Sequence, residues 1–275
     1  THSKANAWAG GLVSQTIKGG IINSWSDAEV FCTAIGGLAE SGAFIGMTNR
    51  SVVANCFALG NTGGKASRED GNEGMPAVSS FIGVNAGKVA NCYASGDMNA
   101  ASFSTYVGSF SGWATGIARQ FISYYNADAV QNSNGTINNP VISVGFMVSA
   151  GVNDEGEPYD GTYHVGIEAK ELSFMKSQAF ADLLNSNFHA FPLDLVNGES
   201  SNVGNQNAMG LPEFMKLKEW QLENDVVMPV GETVITTYED MTPVFEPDAL
   251  DVADGTYYGR AKGPGGEYIY VNMTV

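Results

Sequence analysis

Charge is scarce in this sequence. Asp, Glu, Lys and Arg supply 15% of its 275 residues, against about a quarter in an ordinary globular chain. Cations are the scarcest: 13 Lys and Arg stand against 29 Asp and Glu, a net charge of −16. Nucleic acid and anionic membrane surfaces are therefore excluded as expected partners, because phosphate contacts draw on Lys/Arg clusters. No apolar run reaches the ~18 residues needed to cross a bilayer, so no transmembrane segment is expected. Only three cysteines occur, Cys32, Cys56 and Cys92, and three histidines, His2, His164 and His189. Neither set has metal-ligand spacing, and an odd cysteine count gives no closed disulfide framework.

What is abundant is glycine, with 34 residues, and an apolar fraction of 44%, enough for a sizeable core. Glycine, Asn and Ser supply turns and weaken helices, which favours repetitive β architecture. The repeat is visible in the residues. Ile21-Ile22-Asn23-Ser24-Trp25 matches Val53-Ala54-Asn55-Cys56-Phe57, then Val89-Ala90-Asn91-Cys92-Tyr93, then more weakly Phe121-Ile122-Ser123-Tyr124-Tyr125. The copies start 32, 36 and 32 residues apart. A second shared piece precedes each: Gly11-Leu12-Val13, Ala43-Phe44-Ile45-Gly46, Ser80-Phe81-Ile82-Gly83 and Ser109-Phe110-Ser111-Gly112, with a degraded fifth copy from Val144. The apolar pieces have strand length. One copy cannot bury its apolar face alone, but copies stacked about 4.8 Å apart can. The expected fold is an all-β parallel solenoid.

Stacking turns equivalent positions into rows. Trp25, Phe57, Tyr93 and Tyr125 form one expected row, and Ser24, Cys56, Cys92 and Tyr124 its neighbour on the opposite face. Asn23, Asn55, Asn91 and Ser123 form a third, at a corner. Small Cys and Ser suit a tight interior, and a bulky aromatic stack suits a wide one. The residues leave both arrangements open. The preferred one puts the aromatics inside and the cysteines outside or at a corner; the reverse makes Trp25, Phe57, Tyr93 and Tyr125 a platform on which sugar rings stack.

The pattern resembles the GLUG-motif repeats of bacterial surface proteins, which read as Gly-Gly-Leu-Val-Gly, a turn, then an Asn-Cys/Ser-Tyr-Ala-Thr-Gly strand. The matching residues are Gly10-Gly11-Leu12-Val13, Asn55-Cys56-Phe57-Ala58-Leu59-Gly60 and Asn91-Cys92-Tyr93-Ala94-Ser95-Gly96. The resemblance implies a right-handed parallel β-helix, a secreted or cell-surface location, and a neighbouring adhesion or enzyme domain. Residues 61–74 depart from the pattern with a polar, glycine-rich insertion, expected to be an outer loop whose Arg68, Glu69 and Asp70 are candidate binding residues.

Over residues 169–187, Leu172, Met175, Ala179, Phe180, Leu183 and Leu184 recur at three- and four-residue steps, the period of an amphipathic helix. It resembles the helix that follows the last GLUG repeat, and is expected to cap the solenoid. The repeat domain with its helix is taken as residues 1–222, followed by a Pro- and acid-rich linker or irregular strand over 223–252. Residues 253–275 then resemble the opening hairpin of a bacterial FMN-binding domain. The flavin-attachment motif of that domain, of Ser/Thr-Gly-Ala-Thr type, is absent, so no cofactor is expected in this chain and FMN belongs to a longer parent protein. Both ends read as cut.

Catalytic constellations are not evident. A β-helix lyase needs a basic residue beside acids that hold a cation, and a hydrolase needs carboxylates converging on one groove. Asp27, Glu29, Asp97 and Asp128 follow the aromatic row and can form at most an acidic strip. The acid-rich run from Asn153 to Asp160 offers Asp154, Glu157 and Asp160 as oxygen ligands for Ca²⁺. The expected function is a non-catalytic extracellular module that binds or presents a glycan or a surface protein. A polysaccharide lyase or glycoside hydrolase is the rival, and a spacer for a surface flavoprotein the third reading.

Overall fold

The computed structural model describes residues 6–68, 72, 74–102, 106–115, 118–147, 164–190, 217–230, 256–262 and 268–274. The chain divides into two compact units, residues 1–233 and 234–275.

The first unit is a parallel β-solenoid. Its first coil runs through strands Ala7–Gly10, Val13–Ile17, Gly20–Ile22, Trp25–Ser26 and Val30–Ile35. Each is repeated one coil later, and the pairing is parallel throughout: Ala7 with Ala39, Val13 with Ile45, Ile21 with Val53, Trp25 with Phe57 and Val30 with Thr62. The third coil stacks on the second through Ile82–Ala90 against Ile45–Ala54, and the fourth through Ser111–Ala114 and Arg119–Asn126. Three sheets of three, eleven and five strands result. Stacking satisfies the backbone groups of each strand through its neighbours, which a lone coil of such short strands cannot do.

The bend just before the aromatic row is set by one residue per coil. Asn23, Asn55 and Asn91 adopt positive φ of 49°, 58° and 51°, a region Asn tolerates better than most residues. Their amides form a ladder, Asn55 Nδ2 donating to Asn23 Oδ1 at 2.8 Å and Asn91 Nδ2 to Asn55 Oδ1 at 3.0 Å. In the fourth coil the corner is Ile122, with φ of 36°, and not Ser123. The fourth coil is one residue shorter here than the copies suggest: Tyr93 pairs with Tyr124, and Ala94 with Tyr125. The aromatic row is therefore Trp25, Phe57, Tyr93 and Tyr124. Tyr125 shares the opposite-facing row of Ala58 and Ala94, both members of the interior cluster.

The interior is filled by Ala43, Phe44, Ile45, Val53, Phe81, Ile82, Val89 and Phe110, together with Cys56 and Cys92. The expectation of aromatics inside and cysteines outside is thus reversed for this row. The wide interior is already filled by a different aromatic stack, Phe44 on Phe81 at 5.0 Å and Phe81 on Phe110 at 4.9 Å. Small side chains are what remains to be fitted opposite it.

One further expectation is corrected and another is met. Residues 62–67, read as part of an outer loop, form a strand that pairs with Val30–Ile35 and Met98–Ala100. A Cβ on Gly63 would lie 2.6 Å from the exposed Phe31 ring, which would have to turn aside to admit it. The degraded fifth copy does form a rung, Val144–Met147 and His164–Lys170, the latter paired in register with the fourth coil from Gln120 to Asn126.

Helical structure follows the last rung where the amphipathic period predicts it, but the strand runs on to Lys170 and the one expected helix is two, Leu172–Met175 and Gln178–Ala190. An antiparallel hairpin, Trp220–Glu223 with Val226–Pro229, belongs to the same unit, so the boundary placed after residue 222 falls inside a hairpin. In the second unit, Thr256–Lys262 pairs antiparallel with Tyr268–Thr274, a hairpin where one was expected.

Candidate functional site

The outward aromatic row is where the solenoid meets the rest of its unit. Trp25, Phe57 and Tyr93 stack in sequence, with centroids 5.8 and 5.0 Å apart and planes within 11° and 7° of parallel. On a bare solenoid this would be an exposed apolar stripe. Here it is covered. Phe180 of the long helix packs edge-on against Tyr93 at 5.2 Å and Tyr124 at 5.5 Å. Trp220 of the hairpin lies against Phe57 at 6.1 Å and Tyr93 at 5.7 Å. Met175, Ala181, Leu184 and Val227 complete this second core. The helix therefore covers the flank of the third and fourth coils, where its apolar face finds an unpartnered aromatic row.

Polar bonds pin the cover in register. The fourth coil breaks the amide ladder with Ile122, and the helix repairs it: Asn187 Nδ2 donates to Asn91 Oδ1 at 2.8 Å. The same group reaches the Tyr124 hydroxyl at 3.2 Å. At the other end, the Lys218 N–H donates to Asn23 Oδ1 at 2.9 Å, and the Lys218 carbonyl accepts from Asn55 Nδ2 at 2.9 Å. Asn185 joins helix to hairpin through both the N–H and the carbonyl of Trp220. The Tyr93 hydroxyl donates to the Val227 carbonyl at 2.5 Å. Burial pushes its phenol far above the ordinary range, so it stays a neutral donor.

Beside this junction lies a pocket of about 450 Å³. Its floor is the solenoid, through Asn61, Ser95, Gly96, Asp97, Asn126 and Asp128; its other walls come from Leu172, Met175 and Lys176 and from the hairpin turn Asn224–Asp225. Three carboxylates, one ammonium and several amides thus line one concavity. Each acid on the floor accepts a backbone N–H from further along the chain. Asp97 Oδ1 accepts the Val130 N–H at 2.8 Å, and Asp128 Oδ2 accepts the Leu172 N–H at 2.8 Å. Asn61 Oδ1 does the same for the Asp97 N–H at 2.9 Å. The turn is tight because Asn224 and Asp225 both adopt positive φ, 49° and 63°, as a two-residue hairpin loop needs.

The predicted site residues fare unequally. Phe57 and Tyr93 are buried under the helix and hairpin, which removes them as an open sugar-stacking platform; Trp25, at the end of the row, is 45% exposed. Tyr125 leaves the row altogether. Arg68 is exposed at the end of its strand, while Glu69 and Asp70 lie outside the described residues. Asp154, Glu157 and Asp160 also lie outside them. Among the described residues no group of three or more His, Cys, Asp or Glu side chains is placed to hold a metal. Of the acidic strip, Asp97 and Asp128 do come together in one pocket, whereas Asp27 and Glu29 are exposed outside its lining.

Sequence reasoning missed Lys176 and Asp225, whose only signals were a polar helix position and an Asn-Asp turn. It also missed Glu40. This residue is 4% exposed, and its Oε2 has no hydrogen-bond partner. Burial raises its carboxyl to about 7 despite a hydrogen bond with Trp8. The available signal was the match of Ala39-Glu40-Ser41-Gly42 to Ala7-Trp8-Ala9-Gly10, which sets Glu40 on a strand of the repeat.

Fold and flank together define the class: a parallel β-solenoid with a helix and hairpin clasped over one outward row. Comparison with protein-family models, with curated proteins and with solved structures returned no match for this chain.

Proposed function

We propose that the chain is a non-catalytic binding module of a bacterial surface protein that takes a glycan in the flank pocket. The pocket is what supports this reading. Its size suits one or two sugar units, and its floor is built on stacked rungs. Asp97 and Asp128 each commit one oxygen to a backbone N–H, which fixes the carboxylate and leaves the other oxygen to accept a sugar hydroxyl. Asn61, Asn126, Lys176 and Asp225 add donors and acceptors around them. The repeat's resemblance to GLUG-motif proteins supports the extracellular location. The sequence resemblance of residues 253–275 to the opening of an FMN-binding domain supports a parent protein that carries one.

A glycan array followed by calorimetry on its hits tests this. A bound glycan whose affinity falls at least tenfold in Asp97→Asn and Lys176→Ala supports the pocket; the Asn replacement keeps an acceptor for Val130. Turnover of a polysaccharide would replace the reading with a lyase or hydrolase. Absence of any binder across the array would leave the spacer.

A further inference from the structure

We propose that Cys56 and Cys92 close into a disulfide that staples the second coil to the third. The two residues stand on one inward row, 36 positions apart, each in the bend between two strands, and the strands on both sides of that bend are stacked in register, Ala54 with Ala90 and Phe57 with Tyr93. Rung spacing sets their Cα atoms about 4.8 Å apart, inside the range a disulfide spans. They already touch: the Cys56 N–H donates to Cys92 Sγ at 3.4 Å. The flanking rungs carry Ser24 and Ser123, so each cysteine has one possible partner. Cys32 is held elsewhere, in the cluster of Ala34, Ala39 and Ala66, with its thiol on the Ala7 carbonyl.

The row's present bonding is compatible with closure. All four side chains donate to the carbonyl two residues earlier: Ser24 to Ile22, Cys56 to Ala54, Cys92 to Ala90 and Ser123 to Phe121. Oxidation removes two of those donors without orphaning a carbonyl. Ala54 O also accepts the Asn23 N–H at 3.2 Å, and Ala90 O the Asn55 N–H at 3.1 Å.

The oxidant is a small-molecule or protein disulfide. The Cys56 thiolate attacks one of its sulfurs, forming a mixed disulfide and expelling one thiolate. The Cys92 thiolate then attacks Cys56 Sγ and expels the second. Two electrons pass to the oxidant, and its two expelled thiolates take up the two protons that the cysteines give up, ending as thiols. Both cysteines are fully buried once the coils stack, out of reach of an oxidant, and burial raises the Cys56 thiol, so the exchange belongs to folding in an oxidising compartment. The bond closes a loop that includes the glycine-rich residues 61–74, where the unfolded chain has most freedom to lose.

The test is to refold the full chain in a glutathione redox buffer, alkylate it in denaturant and weigh it. The expected result is one alkylated cysteine, Cys32, a mass 2 Da low from the lost hydrogens, and a non-reduced tryptic pair joining residues 51–65 to 89–119. The denaturation midpoint should fall by several degrees on adding reductant, and the Cys56→Ser/Cys92→Ser variant should show no such fall. Three alkylated cysteines after oxidative refolding, or a cross-link through Cys32, would overturn the proposal. Should the double variant fail to fold, Cys92→Ser alone decides the matter, since it must leave Cys56 alkylated.

Discussion

Two aromatic stacks run along this solenoid. Phe44, Phe81 and Phe110 repeat at 5.0 and 4.9 Å inside the coil; Trp25, Phe57 and Tyr93 repeat at 5.8 and 5.0 Å outside it. Both obey the same rung spacing, so spacing does not tell inside from outside. The difference lies in what closes over each. The interior stack is enclosed by the coils themselves, through residues that repeat with it. The outer stack is enclosed by Phe180, Met175, Trp220 and Val227, from segments that belong to no repeat. One core is built from periodic contacts and the other from a single late-arriving cover. They should respond differently to damage.

The largest effect is expected in the interior. Phe81→Ala removes a fully buried ring stacked on both sides, and should cost about 3 to 5 kcal/mol, lowering the whole unit's unfolding midpoint. Trp220→Ala is expected to cost about 3 kcal/mol, but of a local kind. The helix and hairpin should loosen and bind an apolar dye while the β signal of the solenoid persists in circular dichroism. If both variants lower one shared transition with no dye binding, the division into two cores is wrong.

Glu40 sharpens the comparison from the solenoid side. Its carboxyl ordinarily titrates at 4.5 and is held up to about 7 in the fold. Between those values the folded state binds more proton than the unfolded one, so stability falls as pH rises through that window and levels off above it. The loss approaches about 3 kcal/mol. Glu40→Gln should therefore match the wild type below pH 4.5 and exceed it by up to that amount at pH 8, measured as the difference between two denaturant titrations. A difference independent of pH would contradict it. The smallest effect is expected on the flank. Asn187→Ala leaves Asn91 Oδ1 and the Tyr124 hydroxyl without their amide donor, and should cost about 1 to 2 kcal/mol by the same titration.

Much of this was legible in the residues. The coils, their number and the Asn corner followed from copies that keep Asn at one position, because only a few residue types settle at positive φ. The long helix followed from its apolar period. What was not legible has physical causes. The fourth coil lost one residue before Tyr124, and a strand's two-residue period turns such a slip into a change of face, so Tyr125 was misread as part of the outer row. The last rung was split by residues 148–163, which hid the half that begins at His164. The direction of the cysteine row depended on the Phe44–Phe81–Phe110 stack having claimed the interior, which no local pattern announces. The pocket needed Lys176 and Asp225, brought to Asp97 and Asp128 from 48 to 128 residues along the chain.

The most direct test is a pair of double-mutant cycles on unfolding free energy. Phe180→Ala combined with Tyr93→Ala probes an edge contact of 5.2 Å on the covered flank. Phe180→Ala combined with Phe81→Ala probes a helix residue against the interior stack. The first pair should couple by about 0.5 to 1.5 kcal/mol and the second should be additive. Additivity in the first pair, with coupling in the second, would place the helix against the wrong stack and contradict the account.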